Sequence, residues 1–494
     1  MNYISYVFEN EVTTQMNPKS DTTTHQTPTL GLSMAVVGLM AVIMFFGVMV
    51  VKSVSIPACL ITIITLICVI SKYALGYSFK ELMDMMAESI KNGTFGLWFF
   101  VAIGGIIASW MMAGTVPAII YYGLELINPA VFLPAGLILC SITAFCTGTS
   151  WGTVGTVGIA LVGIGQGMGI PLPITAAMIV SGAAFGDKMS PVSDTPNLTS
   201  MACGADLYDS IRAMITTITP AYVLAFILFC IVGIQYGTGA MNYAIIEETR
   251  SVLAQHFNLH PIVLLPIIVL LVLSVKRFPS LPSMAIAIVT GFVVAVIFQG
   301  ASIAACLESL NSGFVIQTGS PYVDPILNRG GLQKMMSTFS IAFLAISMGG
   351  ILDKCGYLTV IVTSLLKRVA TVGSLSLVVI VSSVLSTAAL SEAYLSFILN
   401  GTVYKKEFDK RGLTRAMLAR QVTEGGLMPA PLMPWTTFGA FCMASLGVSG
   451  LAFAPYAFLN YLSPLVSIVM AYLGLGVVWN NKANQGKRRF TETE

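Results

Sequence analysis

The sequence predicts an all-α polytopic membrane protein made of two inverted repeats of about five transmembrane helices each, with re-entrant hairpins and broken helices. Three observations carry this reading. Only 10% of the 494 residues are charged, apolar runs follow one another almost without pause, and the pattern of the first half returns about 240 residues later. A soluble globular chain carries roughly 25% charged residues. With 56% of the chain apolar or aromatic and 45 glycines besides, too little polar material remains to coat a water-facing surface of this size.

Taken in order, residues 1–29 are polar and Thr-rich, with no basic segment ahead of an apolar core, and read as a cytoplasmic N-terminal tail. Runs long enough to cross about 30 Å of hydrocarbon as helix lie near 31–51, 55–75, 94–113, 211–236, 281–299, 335–353 and 455–479, with a shorter one at 260–275. Residues 130–146 and 152–168 meet at Thr147-Gly148-Thr149-Ser150-Trp151-Gly152 and read as a re-entrant hairpin. Residues 173–186 run into Gly186-Asp187-Lys188-Met189-Ser190-Pro191-Val192-Ser193-Asp194-Thr195-Pro196-Asn197, whose two prolines and three charges cannot continue a lipid-facing helix. The domains that follow are a first repeat at 31–236, an external linker at 237–259, a second repeat at 260–479 and a cytoplasmic C-terminal tail at 480–494.

The recurrence can be followed motif by motif. Gly104-Gly105-Ile106-Ile107 returns as Gly349-Gly350-Ile351-Leu352, segment 115–127 returns as 357–369, and the break at 147–152 returns at Ala389-Leu390-Ser391-Glu392-Ala393-Tyr394. Pro191 and Pro196 are expected to match Pro429 and Pro434. An odd number of crossings per half inverts the second half. Ten crossings with both termini inside put twenty of the 25 basic residues in the cytoplasm, including the six between Lys405 and Arg420. Lys52, Arg250, Arg329 and Lys334 fall outside, and Lys188 stays in the broken helix; this asymmetry follows the positive-inside rule. Twelve full crossings are the alternative.

Several function classes drop out. A net charge of +3 with no basic run beside an aromatic platform implies no nucleic-acid partner. Nine cysteines without CxxC spacing read as reduced filler, not as zinc ligands or a redox pair. Gly148-Thr149-Ser150-Trp151-Gly152 fits G-x-S-x-G, the pattern of a serine nucleophile. The three histidines, His25, His256 and His260, lie in the tail and an outer loop, so an intramembrane hydrolase is the weakest alternative. The glycine run 163–169 has no GK[ST] after it and no βαβ context for nucleotide binding. No cofactor is expected, and the chain is read as a non-enzyme.

What remains is transport, because interrupted helices expose carbonyls and helix termini near the midplane where ions can be held. Asp187 and Asp194 lie in apolar surroundings, where an ionised carboxylate costs at least about 2.5 kcal/mol unless a cation, proton or partner compensates it. Such a group is a natural exchange point for Na⁺ and H⁺. Ser190, Ser193, Thr195 and Asn197 offer hard oxygen ligands beside it, with Asp194 and Asn197 as the expected Na⁺ ligands. The competing reading is that Asp187 caps a helix end and pairs with Lys188 in a solvated loop. Thr149 and Ser150 add hydroxyls at the first hairpin tip, where clustered glycines serve close approach of a ligand or close helix packing. The opposed tip carries Ser391 and Glu392, the latter the one acid of its apolar stretch. Trp435 and Thr436 follow Pro434, either lining the cavity or, for the tryptophan, sitting in an interfacial belt.

TGTSWGTVGTVGIALVGIG, GDKMSPVSDTPNLTS with GADLYDSIR after it, and PYAFLNYLSPLVSI resemble the NhaC family of Na⁺/H⁺ antiporters, including its malate/lactate antiporter branch. The resemblance spans residues 31 to 479. It implies membership of the ion-transporter superfamily, inverted repeats with hairpins, and coupled exchange of Na⁺ for H⁺, with polar broken-helix positions at Asp187, Ser190, Asp194 and Asn197. This chain departs from it at the second tip, where many relatives have a TGDQY-like run and this one reads Leu390-Ser391-Glu392-Ala393-Tyr394. The resulting expectation is a bacterial inner-membrane antiporter exchanging cytoplasmic sodium for external protons. Its alternative is Na⁺- or H⁺-coupled transport of an organic anion or amino acid, such as malate/lactate exchange. Expected partners are Na⁺, H⁺ and the lipid bilayer, with a homodimer as the assembly kept open.

Overall fold

The computed structural model describes residues 25–47, 55–126, 128–238, 243–276, 278–321, 323–366 and 369–480. Most of both tails, part of the linker, and the topology charges Lys19, Lys52, Arg277, Lys367, Arg368 and those from Lys482 to Arg489 lie outside the described residues. Every long element is a helix. Seven helices are long and apolar enough to cross a membrane, or up to nine when two bent pairs each count as one span, among the described residues.

The first half runs α1 (Leu30–Phe45), α2 (Ile56–Ile70), α3 (Phe79–Met112), α4 (Thr115–Leu126) and α5 (Pro129–Thr147). It continues through arm α6, built from Ser150–Thr153, Val154–Gly158 and Ile159–Gly167, then α7 (Leu172–Met189), α8 (Asp194–Cys203) and α9 (Leu207–Thr238). After α10 (Tyr243–His256) the second half runs α11 (Leu265–Val275), α12 (Ser280–Phe298), α13 (Ile303–Ser312), α14 (Leu332–Lys354), α15 (Tyr357–Leu365), α16 (Val372–Leu390), arm α17 (Ala393–Lys410), α18 (Arg415–Gly426), α19 (Thr437–Leu446) and α20 (Phe458–Leu473). Helix α3 starts well before the expected apolar run at 94, because a Ser78–Glu81 capping box satisfies its first amides.

The repeat is sharper in the structure than in the sequence. Helices α5 and α16 are each 19 residues long, α8 and α19 each 10, and their starts differ by 243 in number (Pro129 and Val372, Asp194 and Thr437). The expected match of Pro191 and Pro196 with Pro429 and Pro434 therefore fails. Pro191 matches Pro434, each two residues before the residue that caps the next helix, Ser193 or Thr436. Pro196 is instead the third residue of α8, where proline is tolerated because that amide has no intrahelical partner. The second break is the longer one, residues 427–436 against 190–193, because Pro429, Pro431 and Pro434 all fall in it.

Packing follows the same symmetry. α2 packs on α14 as α12 packs on α3, and α3 against α14 and α9 against α20 join the halves. Each hairpin arm packs on the broken helix of the other half, α17 on α8 and the Val154–Gly158 turn of α6 on α19. Within a half, a side chain at Gly182 would run into the Leu137 carbonyl oxygen of α5, and one at Gly425 into that of Ile380 of α16. These counterparts permit close helix contact in both halves. One count from the sequence changes: Arg420 is fully buried in α18, so it is not a cytoplasmic loop charge.

Each hairpin turns through a left-handed residue, Gly148 (φ 71°) in the first and Ser391 (φ 61°) in the second. Ser391 is the one non-glycine with positive φ among the described residues, and its buried hydroxyl has no hydrogen-bond partner among them. Ser391→Gly is therefore expected to stabilise the protein by roughly 1 kcal/mol, read as a raised unfolding temperature in detergent.

Candidate functional site

Asp187 lies in the last turn of α7, just before the first break, and is 5% exposed. The Ser150 hydroxyl at the hairpin tip donates to its Oδ2 at 2.7 Å, Thr195 donates to the same oxygen at 3.3 Å, and Ser193 donates to Oδ1. One carboxylate thus ties the hairpin tip to the head of α8. The reading of Asp187 as a cap paired with Lys188 in a solvated loop does not survive, since both are buried and the lysine points elsewhere.

Asp194 is the first residue of α8 and is exposed. Its carboxylate makes no hydrogen bond to the described residues, yet it lies close enough to interact electrostatically with Asp187 and with the Tyr394 phenol. Tyr394 stands beside the Thr195 hydroxyl and feels Asp187, Asp194 and Glu392 together. It is the residue through which the two halves of the site meet.

The remaining polar residues divide by what their atoms already do. The Ser190 hydroxyl donates to the Phe145 carbonyl at 2.7 Å, bracing the tip against the break. Asn197 donates its amide hydrogens to the Pro191 and Ser193 carbonyls at 3.1 and 2.6 Å, so its side-chain oxygen is the end left for a cation. Thr149 caps arm α6 by accepting from the Gly152 amide at 3.2 Å. Thr436 caps α19 and donates to the Ala430 carbonyl at 2.7 Å. Trp435 donates its indole N–H to the Ala388 carbonyl at 2.9 Å, which anchors the second tip. Both groups are spent on shaping the second break.

Glu392 caps arm α17, and the Thr437 hydroxyl donates to its Oε2 at 2.5 Å. The 243 register gives this pair its meaning. Thr149 corresponds to Glu392 and Asp194 to Thr437, so each half has one acid and one threonine at these two positions, with the acid exchanged between tip and broken helix, and only the second-half pair is hydrogen-bonded. The aromatic residues obey the same exchange: Trp151 stacks on Phe438 of α19 at 5.7 Å between ring centres, and its counterpart Tyr394 stands by Thr195, the counterpart of Phe438.

Sequence reasoning missed a second group. Lys188 and Glu424 form a fully buried ion pair at 3.3 Å. Thr217 of α9 also donates to Glu424 at 2.5 Å, and Lys188 donates to Ser463 of α20 at 3.3 Å. Arg420, one turn before Glu424, interacts with it electrostatically and donates to the Gly476 carbonyl at 2.7 Å. Four helices contribute to this cluster, so no local motif announces it. Ser150, meanwhile, is bonded to Asp187, while His25, His256 and His260 are bonded to Glu81, Val252 and Ile262, so none of the three histidines is hydrogen-bonded to the serine of the G-x-S-x-G run.

A family model described as the Na⁺/H⁺ antiporter family matches residues 6–206 and 182–475. The chain is 37% identical over 413 residues to the malate-2H⁺/Na⁺-lactate antiporter of Bacillus subtilis, covering 84% of this chain and 88% of that one. It is 35% identical over 451 residues to the Na⁺/H⁺ antiporter NhaC of Alkalihalophilus pseudofirmus, covering 91% and 96%. To the arginine/ornithine antiporter ArcD of Halobacterium salinarum it is 36% identical over 408 residues, covering 82% and 84%.

Proposed function

The chain belongs to the Na⁺/H⁺ antiporter family and is a secondary active transporter, and from that premise we propose how and where it exchanges Na⁺ for H⁺. Its place is the bacterial inner membrane, with both termini cytoplasmic, and it needs no cofactor beyond the ions it moves. Cytoplasmic sodium leaves as external protons enter. The observation that carries the site assignment is Asp194, a carboxylate at a helix break with no hydrogen-bond donor of its own among the described residues. Inside a membrane its charge must be compensated. A sodium ion and a proton each do so, and they exclude one another at the same oxygens. The Asn197 side-chain oxygen completes a hard-oxygen set suited to Na⁺. Asp187 holds the surrounding hydroxyls in place, and Glu392 with Thr437 forms the exchanged counterpart across the site.

A second reading has direct support. The malate/lactate and arginine/ornithine antiporters are as similar to this chain as the Na⁺/H⁺ antiporters are. An organic anion or amino acid is thus a second substrate class, with Glu392 placed to meet an ammonium group. Proteoliposomes with an internal pH dye, challenged with Na⁺, Li⁺ and K⁺ and then with malate, lactate, arginine and ornithine, decide between them. Dissipation of a pH gradient by Na⁺ alone supports Na⁺/H⁺ exchange. Dissipation by an organic solute only would overturn it in favour of the second reading.

A further inference from the structure

The two short broken helices end in the same way. α8 stops at Gly204 (φ 66°) and α19 at Gly447 (φ 78°), residues 243 apart in number. A guanidinium lies beside each glycine, joined at Gly204 by the closer Lys405 ammonium of α17. Arg415 donates to the Gly204 carbonyl at 3.4 Å. The Arg329 guanidinium lies against Gly447, where an added Cβ would stand 3.4 to 3.5 Å from it.

Each arginine also grips the outer end of the hairpin arm that packs on that helix. Arg415 is bidentate on Asp409 of α17, Nε to Oδ1 at 3.0 Å and Nη2 to Oδ2 at 2.8 Å. Arg329 donates to the Gln166 side-chain oxygen of α6 at 3.3 Å and to the Pro325 carbonyl at 3.3 Å. Gln166 and Asp409 are again 243 apart. The two arginines are not counterparts: Arg329 precedes α14, whereas Arg415 is the first residue of α18. An arginine thus spans the arm end and the glycine at both joints from unrelated positions, by hydrogen bonds at Gly204 and Asp409 and by packing on Gly447 with a hydrogen bond to Gln166 at the other.

We propose that Arg329 and Arg415 are positioning residues for transport, paired latches that close the outer and inner mouths of the site by holding each hairpin arm to the other half's broken helix. The inference rests on the transport reading. A cavity of about 690 Å³ walled by Ala205, Asp206, Asp409 and Arg415 adjoins the Arg415 latch. Alternating access requires that one latch be held while the other yields, and a ligand or mutation that loosens one mouth shifts the shared equilibrium toward the state open on that side. The bidentate, charged inner latch is the stronger of the two by chemistry.

Ala202 and Ser445 are counterparts in the last turns of α8 and α19, and both are buried. In a cysteine-free background, Ala202→Cys is labelled by an impermeant maleimide from inside in inverted vesicles, and Ser445→Cys from outside in intact cells. Arg329→Gln is expected to raise labelling at 445 and to lower labelling at 202, each by roughly threefold, and Arg415→Gln to do the reverse. Gln166→Ala and Asp409→Asn serve where an arginine variant is not recovered in the membrane. A change confined to the cysteine beside the altered latch, or no change at either, would overturn the proposal, because simple loosening of a joint has no reason to protect the far mouth. Labelling needs no transported ion, so a wild-type protein that fails to exchange Na⁺ for H⁺ unseats the transport reading separately.

Discussion

Asp194→Asn is expected to abolish coupled exchange, a loss of at least about 100-fold in proteoliposome rate, while membrane insertion and unfolding temperature stay near wild type. The amide keeps the side chain's shape and loses both the charge and the titratable oxygen on which the proposed exchange depends. The Asp194 carboxylate makes no hydrogen bond to the described residues, so little structure is lost with it. Asp187→Asn behaves differently. Its carboxylate accepts from Ser150, Ser193 and Thr195, and turning one oxygen into an amide nitrogen sets donor against donor at a cost of about 1–3 kcal/mol. That variant is expected to weaken Na⁺ affinity and to lower stability together. Wild-type exchange by Asp194→Asn removes the residue from the mechanism.

Glu424→Gln is the most destabilising single change anticipated in this chain. Glu424 is the anion facing two buried cations, Lys188 at 3.3 Å and Arg420 one turn away. Removing its charge leaves both uncompensated, and breaking a buried pair in this way costs about 3–5 kcal/mol. Lys188→Met is expected to be far milder, because Arg420 and Glu424 then neutralise one another. Unfolding temperatures of the two purified variants in detergent read this asymmetry directly. Equal losses would mean that Arg420 does not share in compensating Glu424.

The fold was legible because membrane insertion writes itself into composition, and because an interrupted helix needs glycine, proline and charge where lipid-facing helix would need none. The sequence places the first break within 186–197 and the second around Pro429 and Pro434, and the structure narrows these to 190–193 and 427–436. The proline register was misread because five-residue spacing recurs by chance in a proline-rich break, whereas the true register is fixed by helix lengths that only the folded chain displays. Asp187, Asp194 and Glu392 stood out as acids in apolar runs. Glu424 did not, since Arg420-Gln421-Val422-Thr423-Glu424 reads like a polar loop until α7, α9 and α20 close around it. Tyr394 carried a faint signal as the counterpart of Trp151, visible once the 243 register is known. Thr436 and Trp435 have the chemistry of ligands, but capping α19 and anchoring the second tip use their polar atoms first.

Competition between Na⁺ and H⁺ for Asp194 is most directly tested by proton release on Na⁺ binding. Purified protein in detergent, held in weak buffer with a pH dye, is mixed with NaCl and separately with choline chloride at equal ionic strength. Sodium should release protons from the wild type, choline should not, and Asp194→Asn should release none. Sodium binding without proton release in the wild type, or unchanged release from Asp194→Asn, would contradict a shared site at this carboxylate.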